Sequence, residues 1–349
     1  MSFKVRIAQA DRTIEVPTGG TVLAAALDAG IGYPFGCQSG NCGACKSHLV
    51  KGEVTMEGYS EFALSDEEKA RGLILACRAV PWEDSEVAWL DEDDLIVHPR
   101  RVLACRVVGL DDATHDIKRV RLAIELGGPF DFSAGQFASV TFDGCAPRDY
   151  SMANVPGDPV LEFHVRRTQG GATSAHVAEK LRLGDGVRVE GPFGASYLRE
   201  AHRGPIIAVA GGSGMAPLKS IVERAIQKQM PQHIYFYFGV RSERDLYLHD
   251  HFAALAARHP HLHFTPVLSE ADAGSSGGGR RTGLVHDAVA ADFDELDGCK
   301  AYLAGPPVMV EAATKLFEQR GMRRIDVHAD AFYTAAEMAA AAKKTGAEL

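Results

Sequence analysis

The sequence predicts a chain of three domains: a small mixed α+β domain, an antiparallel β-barrel, and an α/β domain built on a parallel sheet. Three stretches predict it. Cys37, Cys42 and Cys45 stand in a C-x4-C-x2-C array, with Cys77 following in LILACRA. Runs that alternate in polarity occupy much of residues 98–203 and read as barrel strands. The continuously apolar run Pro205–Ala210 then leads into Gly211-Gly212-Ser213-Gly214 and a helical pattern, the strand, turn and helix of a parallel sheet. A chain of 349 residues fits two or three domains at ~100–200 residues each, and the boundaries fall at 1–97, 98–203 and 204–333, with a tail at 334–349.

In the first domain, Phe3–Ile7 and Thr13–Val16 read as short strands with Asp11 in the turn between them. Thr21 is placed to cap a helix whose apolar face is Val22, Leu23, Ala26 and Leu27, and Gly30 stops it before the cysteine loop. Ser47–Val50 is a returning strand, and Ser65-Asp66-Glu67-Glu68 opens a short helix expected to deliver Cys77. Strand, strand, helix, loop and strand is the layout of a β-grasp ferredoxin. The cysteine spacing agrees, because four thiolates in this array hold a plant-type 2Fe-2S cluster. Gly36, Gly40 and Gly43 allow the loop to bring backbone N–H groups onto the sulfurs. A zinc knuckle would repeat a C-x2-C pair, and this array does not. His48 reads as a surface strand residue, and Cys105, Cys145 and Cys299 as inert packing thiols.

The acidic run Asp91-Glu92-Asp93-Asp94, followed by His98-Pro99-Arg100-Arg101, reads as a solvated linker. Beyond it, Val102–Leu110, Lys118–Ile124, Phe137–Phe142 and Leu161–Val165 are the expected strands, and Arg148-Asp149-Tyr150-Ser151 lies among them. Alone, that tetrapeptide is an ordinary barrel strand. In context, Arg148 can pair with a pyrophosphate, Tyr150 can lie against a flat ring, and the Ser151 hydroxyl can donate to a ring nitrogen. The context is Gly170-Gly171-Ala172-Thr173-Ser174, expected to open a helix over 175–183 and to receive the same pyrophosphate at its N-terminus. Gly191-Pro192-Phe193-Gly194 is expected to close the barrel, or to be a plain turn.

In the third domain the turn Gly211–Gly214 precedes a helix over Leu218–Gln227, and it lacks the third glycine of the dinucleotide fingerprint. The strand Ile234–Val240 ends at Arg241, which either meets an adenosine ribose or its phosphate or lies in solvent. A helix over Leu248–Arg258, a flexible Gly/Ser loop at Gly274–Gly279, a strand at Ala301–Ala304, the turn Gly305-Pro306-Pro307 and a helix over Met309–Arg320 follow. Residues from Ala335 form an alanine-rich helix or a disordered end. A net charge of −9 leaves no basic stripe for nucleic acid. No apolar run approaches a membrane span, and the amino terminus lacks a signal peptide, so the cytoplasm is expected.

Taken in order, the cysteine array, RDYS, GGATS, GGSGMAP, YFGVRS, GPP and Ala329-Asp330-Ala331-Phe332-Tyr333 resemble the reductases of bacterial ring-hydroxylating oxygenases, most closely the naphthalene dioxygenase reductase type. The resemblance spans residues 3–333. It implies that Cys37, Cys42, Cys45 and Cys77 hold the cluster; that Arg148, Tyr150, Ser151, Gly170, Gly171 and Ser174 hold FAD; and that Gly212, Gly214, Arg241 and Gly305 serve the pyridine nucleotide. Ser151 and Phe332 would lie nearest the flavin ring. Ala304 stands where many relatives carry Cys, which unsettles the usual contact to the nicotinamide.

A nicotinamide gives up two electrons as hydride and a 2Fe-2S cluster takes one, so a flavin must stand between them. The expected function is electron transfer from NADH, with NADPH as the alternative, through FAD and the cluster to a Rieske-type or other ferredoxin or to a terminal oxygenase. Reductases of diiron monooxygenases or deoxysugar dehydratases share the architecture, and a redox sensor is the non-enzyme alternative. Arg241 and Arg244 could meet a 2′-phosphate that Glu243 and Asp245 would repel, and NADH is preferred on that balance.

Overall fold

A computed structural model describes residues 1–90, 93, 95–270 and 280–334. Asp91, Glu92, Asp94, the Gly274–Gly279 loop and the tail from Ala335 lie outside the described residues. The chain divides into two compact units, Met1–Val97 with Tyr333, and His98–Phe332.

The first unit contains β1 (Ser2–Ile7), β2 (Arg12–Pro17), α1 (Val22–Asp28), β3 (Lys46–Lys51), β4 (Val54–Met56), α2 (Asp66–Ala70), β5 (Leu73–Leu75), β6 (Ala79–Pro81) and β7 (Ser85–Trp89). Its main sheet runs β2-β1-β7-β3-β5, with β1 and β7 parallel and the other pairs antiparallel, and β4 pairs with β6 separately. The alternation in β1 places Val5 and Ile7 inside, where Ile14 and Val16 of β2 join them. Thr21 caps α1 by accepting from the Ala24 N–H, and Gly30 follows with φ +71°. α2 begins with a reciprocal cap between Ser65 and Glu68. It does not deliver Cys77: the helix ends at Ala70, and the buried strand β5 brings the chain to that cysteine.

The second unit opens with a six-stranded antiparallel sheet: β8 (Arg101–Asp112), β9 (Ile117–Leu126), β10 (Phe137–Phe142), β11 (Arg148–Ser151), β12 (Val160–Arg166) and β13 (Gly186–Phe193), in the order β11-β10-β13-β8-β9-β12. The bridge from Met152 to Phe163 joins the two outer strands and nearly closes a barrel. Closure therefore does not fall to Gly191–Gly194, because β13 is an interior strand. Inward residues such as Leu103, Val120, Val140, Phe142 and Phe163 fill the barrel. α3 spans Ala172–Glu179, three residues earlier than the glycine turn suggests, with Gly171 as its N-cap. Thr173 and Ser174 consequently lie in its first turn.

The same unit continues with β14 (Ile206–Gly211), α4 (Met215–Gln227), β15 (Ile234–Val240), α5 (His249–Arg258), β16 (Leu262–Leu268), β17 (Arg281–Thr282), α6 (Val285–Asp292), β18 (Lys300–Gly305), α7 (Pro307–Gln319) and β19 (Val327–Ala331). All are parallel in the order β17-β16-β15-β14-β18-β19. All six residues of β14 are buried, which is why it reads as an unbroken apolar run. α4 starts before Pro217, which sits in its first turn, where a missing N–H costs no helical bond.

Phe163 is 1% exposed in the barrel core. Replacing it by Ala should destabilise the second unit by about 3–5 kcal/mol. Both tryptophans, Trp82 and Trp89, belong to the first unit, so denaturation followed by tryptophan fluorescence should be unchanged while the circular-dichroism transition of the second unit moves to lower urea.

Candidate cluster, flavin and nucleotide sites

In the first unit the loop after α1 wraps its backbone around sulfur. The Cys37 N–H points to Cys42 Sγ at 3.3 Å, and the N–H groups of Ser39 and Asn41 point to Cys37 Sγ at 3.4 and 3.3 Å. Gly40 and Gly43 take φ +79° and +76°, the left-handed values this wrapping needs. A Cβ on Gly40 would meet the Gly58 carbonyl oxygen at 2.9 Å, so only glycine fits there. Cys45 and Cys77 lie within hydrogen-bonding reach of each other, as do Cys37 and Cys42. Cys37 is drawn down to about 5 by the hydrogen bond from Cys42 and by the backbone donors, and Cys77 is lowered by Cys45. Cys42 and Cys45 are pushed up because each lends its proton to its neighbour, and burial adds to this. Four soft sulfurs, clustered and met by backbone donors, are the ligand set a 2Fe-2S cluster requires. Cys105 is pushed up to about 12 by burial, and Cys299 is raised for the same reason, so neither is a reactive thiolate.

In the second unit, β11 carries Arg148 exposed, Tyr150 half-buried and Ser151 buried. The Tyr150 ring packs edge-on to Phe142, and burial pushes its hydroxyl up to about 12, leaving it a hydrogen-bond donor at neutral pH. Ser151 Oγ donates to Asp330 Oδ2 at 3.2 Å, and two residues on, the Phe332 N–H donates to the Gly305 carbonyl at 2.9 Å. Ser151 is thereby tied to the end of β19, two residues before Phe332. The sequence named Asp330 only within the closing Ala329–Tyr333 segment and gave it no role of its own.

Arg167, Thr168, Gly170 and Gly171 line a groove beside the N-terminus of α3. A Cβ on Gly171 would meet Thr168 Oγ1 at 2.3 Å, so glycine keeps this turn tight. The Ser174 hydroxyl is engaged with Gly171 O, Thr168 N and Thr168 Oγ1, all at 3.1 Å. It thus holds the turn's shape, while the first N–H groups of α3, which no side chain caps, face the groove's end of the helix.

The parallel sheet reverses its strand order between β14 and β18, and the turns after these strands diverge there. A cavity of about 570 Å³ opens at that point, lined by Gly211 and Gly212, by Val240 and Arg241 after β15, and by Pro306 and Met309 after β18. Of the expected nucleotide residues, Gly212 and Arg241 line it, whereas Gly214 and Gly305 do not. A Cβ on Gly214 would lie 2.0 Å from the Ala304 carbonyl oxygen, and one on Gly305 would lie 2.8 Å from that of Gly211, so these two glycines let the turns touch. Asp116 and Arg166 also line the cavity, and their ion pair at 2.9 Å was not foreseen. Arg241 pairs with Asp245 at 3.2 Å. Burial alone would raise Asp245, but hydrogen bonds from the Ser242 hydroxyl and N–H, together with Arg241, outweigh it and hold the carboxyl below its ordinary value.

Three family models match consecutive stretches: a 2Fe-2S iron-sulfur cluster binding domain over residues 5–81, an oxidoreductase FAD-binding domain over 104–197, and an oxidoreductase NAD-binding domain over 208–315. The chain is 40% identical over 321 residues to the ferredoxin–NAD(P)(+) reductase component of the naphthalene 1,2-dioxygenase/salicylate 5-hydroxylase systems of Ralstonia sp, covering 92% of this chain and 95% of that one. It is 37% identical over 342 residues to the reductase component of phenol 2-monooxygenase from Pseudomonas sp. (strain CF600), covering 97% and 96%. Among solved structures, the ferredoxin reductase in carbazole 1,9a-dioxygenase matches with a TM-score of 0.68 and 27% identity over 95% of this chain and 99% of that one.

Two substitutions should separate the cofactors. Cys42→Ser replaces a thiolate by a hard, poorly ionised hydroxyl and should remove iron while FAD stays bound. Gly171→Val should do the reverse. Iron analysis and flavin absorbance on the purified variants read both.

Proposed function

The chain belongs to the family of NAD(P)H-dependent reductase components that combine 2Fe-2S, FAD and NAD domains, and from that premise we propose that it supplies an aromatic ring-hydroxylating system with electrons from NADH. Its immediate acceptor is a Rieske-type ferredoxin or the terminal oxygenase itself. The observation that carries this reading is one chain holding both a four-sulfur loop met by backbone donors and a cavity at the switch point of a parallel sheet. When bound, FAD supplies the capacity to take electrons in pairs and release them singly, and the cluster carries one at a time.

The chain's own residues position these groups. Cys37, Cys42, Cys45 and Cys77 ligate the iron, with N–H groups of Ser39 and Asn41 stabilising negative charge on sulfur. Arg148 and the N-terminus of α3 would hold the FAD pyrophosphate, and Tyr150 and Ser151, the latter donating its hydroxyl to Asp330, would lie at the flavin. Phe332, just past the end of β19, would lie near the ring. Gly212 and Arg241 meet the pyridine nucleotide, and Arg166 joins them beside the glycine turn, since a Cβ on Gly212 would lie 3.2 Å from Arg166 Nη1. A cytoplasmic setting suits thiolates that must stay reduced.

A diiron monooxygenase as the final acceptor is the second reading, favoured by the phenol 2-monooxygenase component at 37% identity over nearly the full chain. Electron delivery to purified Rieske ferredoxin against delivery to a diiron hydroxylase separates the two.

Cys42→Ser should keep NADH-dependent reduction of ferricyanide, which draws electrons from the flavin. The same variant should lose reduction of cytochrome c or of the partner ferredoxin. Loss of both activities with FAD retained would refute the order nicotinamide, flavin, cluster.

Nucleotide choice follows from Asp245, whose carboxylate at the cavity wall would repel a 2′-phosphate. The wild type should prefer NADH, and Asp245→Ser, which frees Arg241, should lower the NADH-to-NADPH ratio of kcat/KM by about tenfold or more. A wild type that favours NADPH would overturn this.

A further inference from the structure

A chain of buried polar groups in the second unit belongs to none of the sites above. His164 of β12 has a side chain with no exposed surface. Its Nε2 lies 2.8 Å from Glu162 Oε1, and its Nδ1 lies 2.9 Å from the Tyr247 hydroxyl. That hydroxyl is in turn 3.4 Å from the Gly212 carbonyl oxygen. Tyr247 is buried against Phe238, their rings edge-on at 5.7 Å.

Counting protons fixes the direction of these bonds. Glu162 is held at about 2: burial would raise it, but His164, Lys219 and Arg119 together prevail, so at neutral pH its carboxylate only accepts. His164 Nε2 therefore carries the proton. Burial lowers His164 against the pull of Glu162, so the ring is neutral and its Nδ1 accepts. The single Tyr247 proton is shared between Nδ1 at 2.9 Å and the more distant Gly212 carbonyl oxygen at 3.4 Å, which holds the phenol in one orientation beside the glycine turn.

The far end of the network reaches the flavin-side strand. The Glu162 N–H donates to Asn154 Oδ1 at 3.0 Å, Lys219 Nζ donates to the Ala153 carbonyl at 3.0 Å, and the Ser220 hydroxyl donates to the Asn154 carbonyl at 2.7 Å. Ala153 and Asn154 follow Ser151 by two and three residues. One hydrogen-bonded array thus spans from the segment carrying Ser151 to the carbonyl of Gly212 at the nucleotide cavity. We propose that His164 and Tyr247 are positioning residues for hydride transfer, fixing the Gly212 turn relative to the strand that carries Ser151. This rests on the assignment of those two segments to the nicotinamide and the flavin.

Hydride transfer is steep in donor–acceptor geometry, so small displacements act on rate more than on affinity. Tyr247→Phe removes one hydroxyl and preserves the packed ring. In FAD-loaded protein it should slow flavin reduction by NADH, followed by stopped-flow absorbance, by about tenfold or more. FAD content and melting temperature should stay near wild type, and the dissociation constant for NAD+ should move by less than about threefold, with a smaller NAD+-induced change in the flavin spectrum. His164→Leu should behave alike. His164→Gln, whose amide can donate to Glu162 and accept from Tyr247, should recover a large part of the rate. The Tyr247→Phe/His164→Leu double variant should be no slower than either single one, because the pair acts as a unit.

Wild-type rates in Tyr247→Phe, or a defect confined to NAD+ affinity, would overturn the proposal. If His164→Leu fails to fold, Tyr247→Phe and His164→Gln decide it. Failure of the wild type itself to reduce its flavin with NADH would instead defeat the underlying functional reading.

Discussion

Glu162 is a carboxylate 8% exposed on a barrel strand, and much of the second unit is arranged to satisfy it. A buried charge is tolerated only where donors surround it, and replacing one partner is far costlier than the pair is worth. Here the donors come from three directions: His164 on the same strand, Arg119 on neighbouring β9, and Lys219 from α4 at 3.9 Å. Because Lys219 also binds the Ala153 carbonyl and Glu223, the first turns of α4 are fastened to the barrel. α4 in turn begins directly at the Gly212 turn. Satisfying one carboxylate therefore joins two sequence-distinct domains into one compact unit.

A second constraint is steric. The turns after β14 and β18 approach so closely that a Cβ on Gly214 would overlap the Ala304 carbonyl, and one on Gly211 would lie 2.6 Å from Met309 Sδ. Gly305, at φ +146°, is in the same position facing Gly211. These glycines let the two turns touch behind the cavity, whose lining is left to Gly211, Gly212, Arg241 and Arg166 among others. Ala304 takes part in this contact: it is buried, and its carbonyl is the atom that Gly214 accommodates.

What the sequence disclosed follows the range of the interactions involved. The cluster loop was legible because ligand spacing, glycine conformations and sulfur-directed N–H groups all lie within a few residues of one another. β14 and β18 were legible because burial on both faces leaves no polar alternation. The start of α3 was misread because Ala172–Ser174 look like a loop, whereas the Ser174 hydroxyl binds back to Gly171 and so continues the helix. α2 was credited with Cys77 because the three-residue strand β5 is too short to show a period. The network was invisible for a different reason. Glu162 and His164 sit in LEFHVR as polar residues in an ordinary alternating strand, and only their partners on α4 and before α5 reveal that the face they occupy, opposite the barrel core, is buried as well. Gly214 and Gly305 were read as nucleotide contacts because a glycine in a turn looks the same whether it admits a ligand or another backbone.

The nucleotide cavity shows how these constraints meet in chemistry. Its two arginines each face a carboxylate, Arg166 with Asp116 and Arg241 with Asp245, so the site presents directed donors with little net positive charge. A diphosphate does not require more, since the thirteen-residue α4 begins at the same turn and directs the positive end of its dipole there. A further phosphate on the ribose would have to displace Arg241 from Asp245 or sit beside that carboxylate. The Arg241–Asp245 pairing that helps balance the cavity would thus also disfavour a 2′-phosphate, and Asp245 is held in place for this by the Ser242 hydroxyl and N–H at 2.9 and 3.1 Å.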